Sequence, residues 1–395
     1  MNVVCRYYAY RATVSAGFYL PVSVVYMRAN GLSLGAVGTV QAVFLFVLVA
    51  AEVPTGYVGD RLGRRAALAL GNASVAAVMV GFVAAETAVG FGLAFGLWAV
   101  AWTFRSGTAS AWLYELLAGV GQADEYTRIE GRSSAVLAAV SAVTALVGAA
   151  LYTVDPALPF LANAALALAG LPVLASLPAT DRTDAADDRD PLGVRAALAV
   201  LRAQVRRADV RWLVAYAALF NVVFSLSRVF EQPATRAVGV PVAGLGVFYA
   251  TVKLVSAGSG AVAGRAEDLL GRRGVLFLLV PAYGAAYGVS ALVPLAIVPA
   301  LLVSRGLTAL ARPVRNGYLN DRLDDVGRAT VLSGVSMALS VASGTANALG
   351  GHVAQRVGPV TFLVITTVAV AAAGAALWVA TNPVRRPDRS ATPAD

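Results

Sequence analysis

Six charged side chains and one amide stand where the surrounding sequence is least suited to them. Arg105, Arg228, Glu231, Lys253 and Arg305 fall inside long apolar runs, Glu52 lies near the end of another, and Asn221 shares the run of Arg228. A charge at the centre of a hydrocarbon layer costs about 3 kcal/mol on an insertion scale. Such a group is therefore kept for pairing, for a polar cavity or for proton exchange. Arg228 and Glu231 are three residues apart, on one helical face, and are expected to pair with each other. Glu52, in Glu52-Val53-Pro54-Thr55-Gly56, is the most embedded acid of the first half and reads either as a proton-linked group or as the partner of an arginine. Arg11 and Glu115 lie one to two turns from the ends of their runs and are expected to snorkel to water.

The elements that must position these groups follow from composition. Of 395 residues, 58% are apolar and 13% charged, with a mean hydropathy of +0.71. A soluble domain carries roughly 25% charged residues, so a soluble enzyme is excluded, as is a disordered chain. Cys5 is the single cysteine and His352 the single histidine. A disulfide within the chain and a thiolate cluster are thus ruled out, and no metal or cofactor is expected. Thirty of the 31 basic residues are arginine, Lys253 being the exception. They lie mostly between apolar runs, so the net charge of +9 is a topology signal and no nucleic-acid partner is expected.

Runs of about 20 apolar residues, the length that crosses a bilayer core, number twelve: 7–27, 34–58, 66–86, 90–115, 133–154, 157–178, 209–232, 243–266, 274–292, 295–318, 329–352 and 359–381. They are too long and uniform for barrel strands, so an all-α integral membrane protein is expected. No small-residue cleavage site follows the first run, which is expected to be retained. With the amino terminus on the cytoplasmic side, 23 basic residues fall on that side and three (Arg28, Arg236, Arg356) on the other. This bias places both termini in the cytoplasm of a cell-membrane protein.

Residues 179–208 divide the chain. An acidic stretch is followed by Leu192, Val194, Leu198, Leu201 and Val205 set against Arg195, Arg202, Arg206 and Arg207. That spacing suits a basic amphipathic helix on an anionic leaflet, or a short solvated linker helix. The expected organisation is a six-helix half at 1–178, this linker, a second six-helix half at 209–381 and a tail at 382–395.

The halves repeat each other. At a constant offset of 208, Arg28 and Gly31 fall on Arg236 and Gly239, and Gly38 falls on Gly246. Without a gap, Gly56, Asp60, Leu62, Gly63, Arg64 and Arg65 then fall on Gly264, Asp268, Leu270, Gly271, Arg272 and Arg273. A constant offset over this length indicates duplication of a six-helix unit.

The stretch Gly56-Tyr57-Val58-Gly59-Asp60-Arg61-Leu62-Gly63-Arg64-Arg65 resembles motif A of the major facilitator superfamily, with Val58 and Gly59 replacing its Leu and Ala. The copy at Gly264–Arg273 sits where that family carries its echo. The resemblance implies a fold of two pseudo-symmetric halves with the site between them. It also implies a latch in which Asp60 meets the start of the eleventh helix (328–333) and Asp268 the start of the fifth (132–136). Gly56 and Gly59 would admit a neighbouring helix closely. Gly63, Arg61, Arg64, Arg65, Arg272 and Arg273 complete the gating set. Arg105 is similar to the motif B arginine of proton-coupled members, with its glycine nearer, whereas the antiporter motif Gly-Pro-x-x-Gly-Gly is absent from 133–154.

The expected function is secondary transport of a small solute by alternating access, coupled to protons, in a monomer embedded in lipid. Efflux of hydrophobic or cationic compounds is the alternative, and a receptor or scaffold on the same fold is a second. No clustered catalytic set suggests an enzyme, and Lys253 is followed by leucine, so no phosphate-binding loop is present. If Arg105, Lys253 and Arg305 face one cavity, an anionic solute is favoured. If each pairs privately, the cavity is neutral.

Overall fold

The computed structural model describes residues 3–106, 108–178, 208–321 and 328–384, with the side chains at 53, 59, 60, 208–210 and 328–331 excepted. The expected linker helix, most of the tail and the Asp60 carboxylate lie outside what is described. Among the described residues the chain is helical, with no strand. Span one comprises α1 (Val3–Thr13) and α2 (Ser23–Ala29), and span two is α3 (Leu34–Leu62). Then come α4 (Arg64–Ala84), span four as α5 (Ala88–Arg105) and α6 (Thr108–Gly119), α7 (Tyr126–Val154) and α8 (Leu158–Ser176). Spans seven to twelve are α9 (Ala208–Ala237), α10 (Val242–Ala261), α11 (Ala263–Leu292), α12 (Ile297–Asn320), α13 (Arg328–Val357) and α14 (Pro359–Thr381).

Ten of the twelve expected spans are long and apolar enough to cross a bilayer. The two others depart for visible reasons. Span one is broken rather than continuous over 7–27: Ser15 Oγ accepts from Gly17 N at 3.1 Å, and Pro21 has no N–H to give. Span eleven is a full helix diluted by Ser336, Ser340, Ser343, Thr345 and Asn347. Several helices outrun their apolar runs, so that motif A is helical up to Leu62 and turns only at Gly63. Gly63 and its repeat Gly271 both have positive φ, +83° and +67°, a conformation glycine adopts without strain. On α5, Val89, Leu93 and Leu97 recur at one turn and are all exposed, the stripe a helix offers to lipid.

Spans two and eleven, and spans five and eight, make the most extensive contacts between the first six spans and the last six. Both seams lie toward the face opposite the arginine-rich loops. A β-carbon at Gly38 would fall 2.2 Å from the Asn347 carbonyl oxygen, and one at Gly246 would fall 2.7 Å from that of Ala145. The two glycines are repeat equivalents, so duplicated positions close the two seams. The Gln355 side chain adds a polar bond across the first seam, accepting from Leu34 N at 2.7 Å. Toward the basic face the seams part. Tyr57, Val58 and Leu62 of α3 and Leu269 and Leu270 of α11 are exposed, and nothing lies within 4 Å of a β-carbon placed at Gly56 or Gly264. The close helix approach expected at Gly56 is therefore not made in this state, in which the molecule is closed at the far face and open at the basic face.

Candidate functional site

Glu231 is the centre of the buried polar structure. It is 2% exposed, and its Oε2 is paired with Nη2 of Arg305, itself 7% exposed, on span ten. Its Oε1 accepts from the Tyr249 hydroxyl of span eight. The Arg305 guanidinium also lies 4.9 Å from the centre of the Phe224 ring, a cation–π contact. The expected pairing of Glu231 with Arg228 is thus corrected: three residues turn a helix through about 300°, and the remaining 60° lets Glu231 point into the protein while Arg228 does not.

The next residue ties this cluster to the break in span one. Gln232 Oε1 accepts from Val24 N at 2.9 Å and Val25 N at 3.1 Å, the first-turn amides of α2. Its Nε2 donates to the Leu20 carbonyl at 2.7 Å and to the Tyr249 hydroxyl at 3.3 Å. A helix begins with amide donors that have no partner within it, and here a side chain from the other half supplies the acceptor. Gln232 and Tyr249 stand outside the set of charged residues that apolar runs single out. The available signals were an amide beside a membrane acid in Glu231-Gln232-Pro233 and the pair Gly17 and Pro21 within one apolar run.

Arg228 is exposed although Glu231, Arg305, Tyr249 and Tyr19, from spans seven, ten, eight and one, all lie within its electrostatic reach. The surface it exposes is therefore that of an internal cleft. Lys253 is half-buried, within reach of Arg228, Arg305 and Glu231. Neither cation has a hydrogen bond or ion pair among the described residues.

Arg105 stands apart. It is half-buried, its Nη2 donates to the Val14 carbonyl at the break in span one at 3.0 Å, and it borders a cavity of about 20 Å³ with Ser15, Tyr19, Trp98, Trp102 and Asn163. That is room for a single water. Arg105 lies about 26 Å along α5 from its far-face end and Arg305 about 12 Å along α12, so the two are not at one depth. The idea that Arg105, Lys253 and Arg305 share one cavity is corrected accordingly: Arg305 is paired, Arg105 is bound to backbone, and the cations facing the cleft are Arg228 and Lys253. Asn221 donates from Nδ2 to Ser343 Oγ at 3.0 Å, a bond between spans seven and eleven.

Glu52 is exposed and makes no ion pair among the described residues, so the expected pairing with an arginine is not formed there. Glu115 does not only snorkel: its Oε1 lies 3.3 Å from Arg64 Nε. In the repeat, Arg272 is paired with Asp321 and with Glu267 at 2.7 Å. Each repeated arginine thus holds the end of span four or ten. Arg65 Nη2 donates to the Ala175 carbonyl at 2.8 Å, Arg61 stacks 4.2 Å over the Tyr57 ring, and Arg273 is exposed. Asp268 is exposed, with no hydrogen bond or ion pair among the described residues. Helix α7 begins at Tyr126, so residues 132–136 lie in its second and third turns and not at its start.

Helical spans in two repeated sets of six, closed over a buried charge cluster, define a polytopic transporter fold. The chain belongs to the major facilitator superfamily, whose sequence model matches residues 11–300. No curated protein matches the chain. Among solved structures, a mutant of the nucleoside transporter NupG superposes with a TM-score of 0.82 at 12% identity, over 95% of this chain and 100% of that one. A bacterial homologue of the human lysosomal transporter Spinster, inward-facing and occupied, gives 0.73 at 14% identity, over 97% and 96% of the two chains. A D-xylose–proton symporter gives 0.63 at 14% identity, over 95% of each. At these identities the likeness is one of fold.

Proposed function

We propose that the chain carries a small solute across the cell membrane by alternating access, with both termini in the cytoplasm and the residues before 179 and after 208 acting as two rocking halves. The observation that carries this reading is the asymmetry of the seams: tight at Gly38 and Gly246 on the far face, absent around Gly56 and Gly264 on the basic face. A two-half molecule closed at one end and open at the other over a buried charge cluster is one state of such a cycle. On this reading the structure is the cytoplasm-open state.

Coupling to protons centres on Glu231. Protonating it neutralises the partner of Arg305 and leaves a buried cation uncompensated, so occupancy by a proton would favour rearrangement of spans seven, eight and ten. Glu52 makes no ion pair among the described residues.

The test is transport in proteoliposomes of the purified chain, with an imposed pH gradient and a panel of solutes. Gradient-driven accumulation of at least one solute is expected, with loss of accumulation but retention of solute exchange in Glu231→Gln. Accumulation that ignores the gradient would remove the proton. Absence of any solute movement would remove the transporter reading.

A further inference from the structure

We propose that the central cleft is an anion site in which Arg228 and Lys253 together hold a carboxylate or phosphate group of a soluble solute. This rests on the transporter reading and gives its substrate class.

The argument is one of charge and depth. Lys253 lies about 17 Å along α10 from its far-face end, and Arg228 about 14 Å along α9 from its own. Both are near the middle of a bilayer core roughly 30 Å thick. They come from adjacent spans and lie within electrostatic reach of each other, so their charges repel with no private acid between them. Among the described residues the one acid within reach of both is Glu231, and its carboxylate is already engaged by Arg305 and Tyr249. The cleft therefore presents two unanswered positive charges beside a neutral pair. Unpaired cations are costly at this depth, and a low-dielectric cleft focuses their field on whatever enters it.

The chemistry of the heads narrows the ligand further. A guanidinium offers a planar fork that fits two oxygens of a carboxylate or phosphate, and an ammonium adds a point charge with three donors. An organic cation would meet repulsion from both and has no free acid to bind. An anionic lipid head presents the same oxygens, so the experiment separates the two sources.

The experiment is thermal unfolding of the purified full chain in a neutral, lipid-free detergent at constant ionic strength. Inorganic phosphate, succinate and benzoate are titrated against a chloride control, with tetraethylammonium as the cation and phosphatidylglycerol as the lipid. At least one soluble anion is expected to raise the unfolding temperature saturably. Arg228→Gln and Lys253→Gln should each raise its half-saturating concentration tenfold or more. The charge-keeping Arg228→Lys and Lys253→Arg should recover most of the loss, which separates lost charge from poor folding. Arg236→Gln, in the last turn of α9 at the far face, where the side chain donates to the Val240 carbonyl, should bind as the parent does. The proposal is overturned if no soluble anion stabilises, if tetraethylammonium or phosphatidylglycerol alone does so, or if both glutamine variants keep the parental midpoint. Anion binding lost in those variants, in a protein that moves no solute in liposomes, would uphold the site and remove the transporter reading. Movement of a cationic solute would do the reverse.

Discussion

Glu231 divides its carboxylate between two helices, one oxygen accepting from Tyr249 of span eight and the other paired with Arg305 of span ten. Span seven is held to both neighbours at one buried point. Through Tyr249 the same point reaches Gln232, whose side chain accepts from the first amides of α2. A continuous set of polar contacts thus runs from the ion pair to the break in span one.

The pair itself should behave as a buried one. Removing one member strands a charge, and Glu231→Gln or Arg305→Gln should each destabilise the protein by about 3–5 kcal/mol. The double variant should lose less than the sum of the two. A double-mutant cycle on detergent-solubilised protein measures this, and additive losses would mean that the pair is not coupled.

Gln232→Leu should leave two α2 amides and the Leu20 carbonyl without their partner at little cost in volume. Each such buried group costs about 1–3 kcal/mol. Part of that cost is relieved by opening the far face to water, so the variant should shift toward the far-open state. In a Cys5→Ser background, which removes the exposed native thiol, a cysteine at Ser23 should be labelled faster from the far face in Gln232→Leu than in its parent. Equal rates would show that the cap does not report on the gate.

Which of these relationships the sequence exposes depends on what fixes them. Span number, the sided arginines and the repeat are properties of depth and order along the chain, and apolar length and loop charge report both directly. Gly63 and Gly271 match in sequence and again in their positive φ. Rotation is another matter. Arg228 and Glu231 share a face by spacing, yet only the packing of spans eight and ten decides that Tyr249 and Arg305 reach Glu231 while Arg228 turns to the cleft. The break in span one was hidden for a related reason: Ser15, Gly17 and Pro21 are tolerated in a membrane helix until a partner such as Gln232 satisfies the backbone they release.

The glycine seams predict a sharp steric effect. Gly38→Val and Gly246→Val each place a β-carbon within 3 Å of a backbone carbonyl oxygen across a seam. Neither contact exists once the halves part at that face, so folding in the far-open state should be preserved. Transport should fall at least tenfold in each, with faster labelling of far-face cysteines. Full transport in both variants would mean that the seams need not close in the cycle.

The last prediction concerns the opposite state. In the open arrangement Asp268 has no partner among the described residues, and Arg132, near the amino-terminal end of α7, is exposed. Because α7 starts at Tyr126, a carboxylate arriving at 132–136 meets amides already bonded within the helix, and the Arg132 side chain is the group left to receive it. The second latch is then an ion pair at the membrane edge. Asp60, by contrast, is expected to meet the start of α13 at 328–333, where helix-terminal amides are available. An exposed ion pair contributes about 0.2–1 kcal/mol, and a carboxylate at a helix start up to about 2 kcal/mol when partly buried. Asp60→Asn should accordingly impair transport more than Asp268→Asn. In Cys5→Ser protein, cysteines replacing Arg132 and Asp268 should cross-link when the basic face closes and not when it is open. A cross-link that forms equally with Gly38→Val present, which holds the far face apart, and with Gly38 intact would show that closure of the basic face does not bring the two positions together.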